Sequence, residues 1–212
     1  MDNSEEGDTS TPEPEPKVIG LTGGIGSGKT TVANYIKQMG YPVYNSDQRA
    51  KEIVNIDPQL KTKIIELLGP EAYNLEGEYN RAHVSSIVFQ NSDLLTSLNH
   101  LIHPAVKKDF ENWTRNQSSF YVFKETALLF ELGLDKECYQ SILVTAEDNI
   151  RIKRVMDRDS KTYREVENIM DQQMAEKDKV RKTSYIIFNN GDLTELIEQT
   201  TCVLEKLFKK ED

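Results

Sequence analysis

The residues Gly23-Gly24-Ile25-Gly26-Ser27-Gly28-Lys29-Thr30 set a lysine and a hydroxyl behind a run of glycines. The spacing is Gly, four residues, then Gly-Lys-Ser/Thr, the pattern of a phosphate-binding loop. Glycine backbone turns through positive φ and brings successive N–H groups close to phosphate oxygens. On this reading Gly24, Ile25, Gly26, Ser27, Gly28, Lys29, Thr30 and Thr31 hold the phosphates of a nucleotide. Lys29 reaches the β- and γ-phosphates, and the Thr30 hydroxyl is a Mg²⁺ ligand. The helix that starts there aims its positive end at the same anion.

Further charged groups have spacing that bears on such chemistry. Asp47 closes the short segment Tyr41–Asp47, and parallel α/β folds collect ligands at the carboxyl ends of strands. It either faces the phosphates or caps the helix beginning near Gln48; spacing does not choose. Glu125 follows the apolar run Phe120–Phe123, the place where P-loop enzymes keep a carboxylate for the magnesium shell. Arg154 and Arg158 share one helix face within the charged stretch from Asn149 to Thr183. That stretch is either a solvated helical hairpin or a mobile lid whose arginines fold over transferring phosphates.

These groups need a scaffold. Val18–Thr22 reads as a buried parallel strand ahead of the glycine loop, and Val32, Tyr35, Ile36 and Met39 give helical spacing after it. Apolar sets from Ile53 to Trp113 predict a block of helices over 48–118. Strands are expected at Phe120–Phe123, Ser141–Thr145 and Tyr185–Phe188, with a helix between the first two and a closing amphipathic helix from Leu193. The expected fold is α/β, a five-stranded parallel sheet flanked by helices, with a helical insertion and a charged helical lid.

Composition narrows the class. The chain has 212 residues and a formal net charge of −9. Six acids and no base fall in residues 1–16, so the body is only mildly acidic and offers no broad nucleic-acid surface. That Pro-, Ser- and Glu-rich stretch is expected to be a disordered tail. The two cysteines form neither a disulfide framework nor a metal cluster. No apolar run reaches membrane-spanning length and the N-terminus lacks an apolar signal core, so a cytoplasmic protein without a membrane partner is expected. A GTP switch would carry Asn-Lys-x-Asp, which is absent. A small-molecule kinase remains, against a nucleotide-binding module without catalysis.

Several motifs, in order, carry a resemblance. Leu21–Thr31 reads Leu-Thr-Gly-Gly-Ile-Gly-Ser-Gly-Lys-Thr-Thr, and Asn45-Ser46-Asp47 answers an Asp-x-Asp element. Gly77–Arg81, Leu101-Ile102-His103-Pro104, the Glu125–Glu131 block with Leu-Leu-Phe-Glu, Arg154–Asp159, Gln173 and Asn189-Asn190-Gly191 follow. The set resembles the dephospho-CoA kinase family, from Val18 to the last helix. The resemblance implies a P-loop kinase fold and transfer of the ATP γ-phosphoryl group to the ribose 3′-hydroxyl of dephospho-CoA. ATP is the co-substrate with Mg²⁺ held at Thr30 and Glu125, and both partners are small molecules. It implies a single domain over 17–212: core 17–47 and 119–212, acceptor-binding insertion 48–118, lid about 149–183, as a monomer or small homo-oligomer. It implies that Asp47 orients the hydroxyl and accepts its proton, with Lys29, Arg154 and Arg158 as the other catalytic groups. Asn189 joins the nucleotide site, and Arg81 and His103 hold the acceptor; by its residues alone His103 is either that or a structural histidine before Pro104. The alternative is another small-molecule or nucleoside-type P-loop kinase. The chain departs from the family pattern at Asn45 and Glu125, each an Asp there, at Ala127, a Pro there, and at Ile169, often an Arg there.

Overall fold

The computed structural model describes residues 15–209. The acidic tail expected at the start of the chain lies, over residues 1–14, outside the described residues.

Five short strands, β1 (Lys17–Thr22), β2 (Val43–Asn45), β3 (Tyr121–Glu125), β4 (Gln140–Thr145) and β5 (Tyr185–Phe188), form one sheet in the order β2-β3-β1-β4-β5. Every pairing is parallel. Such a sheet is buried on both faces, so its central strands read as unbroken apolar runs rather than alternating ones. The main core lies between the sheet and two helices, α1 (Lys29–Gln38) and the last helix, Leu193–Phe208. Ile19, Leu21, Phe123, Ile142 and Ile187 meet Val32, Ile36, Leu204 and Leu207 there, all but fully buried. Each such side chain contributes about 1.5–3 kcal/mol of transfer free energy.

Between β2 and β3 the chain makes α2 (Ser46–Ile56), α3 (Pro58–Leu68), α4 (Arg81–Val88) and α5 (Ser92–Arg115). They bury a second core of their own around Ile53, Leu60, Ile64, Val84 and Leu98. Pro104 sits inside α5, which continues through it.

Three helices separate β4 from β5: α6 (Asp148–Asp159), α7 (Tyr163–Asp171) and α8 (Glu176–Lys182); the closing helix is α9. This segment is not the polar hairpin its charge suggests. Ile152, Val155 and Val166 are buried in a small cluster with Ile25 of the glycine loop.

One expected element is missing. Between β3 and β4 there are turns and a 3₁₀ turn at Leu134–Glu137 where an α-helix was expected. Leu129 explains it. A Cβ on Gly20 would lie 2.8 Å from Leu129 Cδ2, so the connection lies flat on the bare backbone of β1 and leaves no layer for a helix. Among the described residues no helix is long and apolar enough to cross a membrane.

Candidate active site

The sheet order gathers the site. Leu21 of β1 pairs with Glu125 of β3, and Asn45 of β2 pairs with the same Glu125. The glycine loop leaves β1 and α2 leaves β2, so Lys29, Asp47 and Glu125 converge at the carboxyl ends of the strands. A cavity of about 550 Å³ opens there, lined by the loop from Gly23 to Thr31 with Asp47, Lys51, Arg154, Arg158 and Gln173. A groove of about 560 Å³ beside Trp113 and Asn116 at the outer edge of β2 contains none of the loop.

Glu125 is the hub. It is 1 % exposed, and its Oε1 takes the Lys29 ammonium at 2.9 Å and the Thr30 hydroxyl at 3.0 Å. Asn45 Nδ2 donates to Oε2 at 2.8 Å. A buried carboxylate is costly unless it is paired and hydrogen-bonded, and this one is both. The Asn45 amide suits Glu125: an aspartate at 45 would set a second carboxylate against the first.

Asp47 lies within α2, not at its cap. Asn45 is the cap, its Oδ1 accepting from Gln48 N at 2.8 Å. The Asp47 carboxylate turns toward the loop instead. Its Oδ2 lies 3.5 Å from Lys29 Nζ and accepts from Ala127 N at 3.3 Å, and Thr126 Oγ1 donates to Oδ1 at 3.4 Å. The capping alternative for Asp47 is therefore overturned.

The loop is bracketed from behind. Asn189, 7 % exposed, donates from Nδ2 to Ser27 O at 2.8 Å and accepts the Arg154 guanidinium at its carbonyl (2.9 Å) and Oδ1 (3.3 Å). Gly28 has φ +93°, and a Cβ there would stand 2.1 Å from Asn189 Nδ2, so only glycine fits between loop and bracket. Arg154 and Arg158 both line the cavity; Arg158 pairs with Asp159 at 2.7 Å on the outside.

Sequence reasoning missed Arg151 as more than surface charge. Its guanidinium is buried, donates to Ile25 O at 3.0 Å, and contacts Asp148 and Glu176. Gln173 Oε1 accepts from Ile25 N at 3.0 Å. Both backbone groups of Ile25 are thus held, by α6 and by the turn that follows α7. The available signal was position: Arg151 stands one turn before Arg154. Lys179, fully buried, pairs with Glu131 of the Leu-Leu-Phe-Glu block at 3.2 Å.

Arg81 and His103 are not brought together. Arg81 lines a groove of about 390 Å³ with Tyr79, Val84 and Phe89. His103 lines a cavity of about 240 Å³ with Asn99, Lys107 and Lys124. Asp47, Ala50 and Ile102 border both, so the two meet at Asp47. Burial, with a smaller push from His100, holds the His103 imidazole below its ordinary pKa, so it is neutral at pH 7.

Known proteins resemble this chain along nearly its whole described length. The dephospho-CoA kinase family model matches residues 17–195. A dephospho-CoA kinase from Chlorobaculum tepidum is 35% identical over 199 residues, 91% of this chain and 95% of that one. One from Bacteroides fragilis is 32% identical over 193 residues, 91% and 93% of the two chains. Among solved structures, TT1252 from Thermus thermophilus superposes with a TM-score of 0.82 at 29% identity, covering 94% of this chain and all of that one. Dephospho-CoA kinase from Campylobacter jejuni gives 0.70 at 21% identity over 92% and 98%, a likeness of fold. With a family model spanning the loop, Asp47, Glu125 and both arginines, and relatives aligned over nine-tenths of the chain, the chain belongs to the dephospho-CoA kinase family.

Proposed function

We propose that this chain transfers the γ-phosphoryl group of ATP to the ribose 3′-hydroxyl of dephospho-CoA, giving CoA and ADP in the last step of coenzyme A synthesis, in the cytoplasm. The observation that carries the reading is the meeting of three features at Asp47. The phosphate loop lies on one side, with Lys29 at 3.5 Å, and two grooves for an acceptor open on the other. The helical insertion, residues 48–118, receives the acceptor, and the segment 149–183 serves as the lid over the core formed by 17–47 and 119–212.

Phosphoryl transfer asks the protein for positioning and charge neutralisation more than for covalent chemistry. The loop amides and Lys29 hold the ATP phosphates. Nucleotide binding draws the Lys29 ammonium from the carboxylates it now contacts and sets it on the β- and γ-oxygens. Asp47 orients the acceptor hydroxyl and accepts its proton as the new O–P bond forms and ADP leaves. Arg154 and Arg158 neutralise the transferring group and exclude water, which would otherwise be the acceptor. Arg154 is already oriented by Asn189.

The residues fit Mg²⁺. Thr30 Oγ1 and Glu125 Oε1 stand 3.0 Å apart, two hard oxygens beside the phosphate loop. Mg²⁺ takes one or two such protein oxygens and fills its shell with water and phosphate. Among the described residues no group of three or more acidic, His or Cys side chains could hold an ion alone, which suits an ion that arrives with the nucleotide. Bound there, Mg²⁺ neutralises charge on the β- and γ-oxygens.

The test is ADP release, coupled to a reporter, with dephospho-CoA, adenosine, AMP, shikimate and gluconate as acceptors. Release above background with dephospho-CoA, exceeding every other acceptor in kcat/KM, is expected. Background release with dephospho-CoA and turnover with another acceptor would overturn the assignment.

A further inference from the structure

Lys124 occupies the interior of β3, 4 % exposed. Among the described residues its ammonium has no hydrogen-bond or ion-pair partner; it lies 4.2 Å from the centroid of the Phe110 ring. Glu111 and Glu137 are near enough to feel its charge, but Glu137 is engaged by Lys107 at 2.5 Å. An unpaired charge in a strand interior is expensive, and a ring face offsets only a part of that cost.

The cavity that Lys124 lines also borders a buried hydroxyl. Ser46 Oγ is buried with no partner, and Ser46 lines the same space. Asn99, His103 and Lys107, four residues apart along one face of α5, line it as well. Apart from Asp47 at the junction, the polar groups of this cavity are donors, or can be. At about 240 Å³ it is too small for a whole coenzyme-sized acceptor but large enough for a section of one.

We infer that this cavity is an anion subsite in which Lys124 and Ser46, with His103 and Asn99 of the same lining, bind the diphosphate of the acceptor. The inference rests on the proposed acceptor and says which of its groups lies on which side of Asp47. The diphosphate is attached to the same ribose that carries the reacting hydroxyl, so both fall within one short span. The part of the acceptor beyond the diphosphate continues over Leu128, Leu132 and Leu134, which line the same cavity. Lys124 and Ser46 are binding residues in this account and take no part in the phosphoryl step.

The variants Lys124→Met and Ser46→Ala test it, with acceptor binding followed by calorimetry and turnover by ADP release. Lys124→Met removes an unpaired buried charge and keeps the volume, so its melting temperature should match or exceed that of the wild type. The KM for dephospho-CoA should rise roughly 10- to 100-fold, the loss expected for one charge-assisted hydrogen bond, with kcat and the KM for ATP within about two-fold. Adenosine, which has no diphosphate, should bind wild type and variant alike. Ser46→Ala should repeat the pattern at a few-fold. An unchanged KM for dephospho-CoA would overturn the inference, as would equal losses for dephospho-CoA and adenosine, or a fall of several degrees in melting temperature, since each marks a structural lysine. If the wild type itself fails to use dephospho-CoA, the proposed function has failed, and the subsite is judged alone. Inorganic diphosphate, titrated with the loop saturated by a non-hydrolysable ATP analogue, should then bind the wild type at least ten-fold more tightly than Lys124→Met, and equal binding would overturn it.

Discussion

Replacing Asp47 by asparagine separates chemistry from architecture at one atom. Ala127 N and Thr126 Oγ1 now donate to different carboxylate oxygens, Oδ2 at 3.3 Å and Oδ1 at 3.4 Å; the amide oxygen takes over the Ala127 bond, and the amide NH2 donates to the Thr126 hydroxyl, which can accept. Lys29 loses its weaker partner at 3.5 Å and keeps Glu125 at 2.9 Å. The helix α2 keeps its cap, because Asn45 supplies it. The structural loss is one acid in the first turn of a helix, about 0.3–1 kcal/mol. For a chain of this size that lowers Tm by no more than about 4 °C. What the variant cannot do is accept the proton of the acceptor hydroxyl, and positioned general-base help is worth roughly 10²–10⁴-fold. Turnover should fall by about that factor while ATP affinity stays within a few-fold. Single-turnover phosphoryl transfer, ATP binding and thermal melting on the one variant supply all three numbers. Near-normal turnover would remove Asp47 from the mechanism and leave Lys29, the arginines and Mg²⁺ to supply the rate. A large fall in Tm would show that the fold itself relies on what the amide lacks, the charge and second acceptor oxygen of Asp47.

Other variants probe the supports of the site. Gly28→Ala forces a side chain into φ +93° and against Asn189, so ATP binding should be lost and Tm should fall by several degrees; retained binding would show that loop and bracket can separate. Gln173→Leu leaves Ile25 N without its acceptor, a desolvation cost of about 1–3 kcal/mol, and should raise the KM for ATP more than that for the acceptor. Asp109, held by the Arg49 guanidinium at 2.6 and 2.9 Å and by the Tyr44 hydroxyl, has its pKa pulled below the usual carboxylate value. Its stabilisation is therefore present above the unfolded carboxylate pKa, about 3.9, and is lost as pH falls from there through the lower folded value. Wild-type Tm should drop more steeply than that of Asp109→Asn below about pH 4, the two curves converging in acid; parallel curves would contradict the pairing.

The parts of the site legible in the sequence were those whose chemistry is local. The glycine loop announces itself because its backbone conformation requires glycine, and the strand and helix flanking it have clear periods. The gathering of Asp47 and Glu125 on Lys29 was legible only as position at strand ends, since it depends on β3 lying between β1 and β2. Asn45 and Asp47 are both good caps two residues apart, and the choice between them is made by Glu125, eighty residues on from Asn45. Arg151 was hidden by its neighbours: among so many charges a solvated face is the ordinary reading, and its burial is decided by Ile25, far away in sequence. The helix expected after β3 failed for a similar reason, because Leu129 is committed to Gly20. Lys124 carried no motif at all; only its burial beside an unsatisfied Ser46 brings it out.

The central claim is that phosphate moves from ATP to one hydroxyl at the Asp47 junction. It is tested most directly by following the label from γ-³²P ATP with dephospho-CoA and asking where it rests. The account predicts label in CoA, released by an enzyme that cleaves only 3′-phosphates, and lost from the product when Asp47→Asn replaces the wild type. Label recovered as inorganic phosphate, or in a product that resists the 3′-specific enzyme, would contradict it.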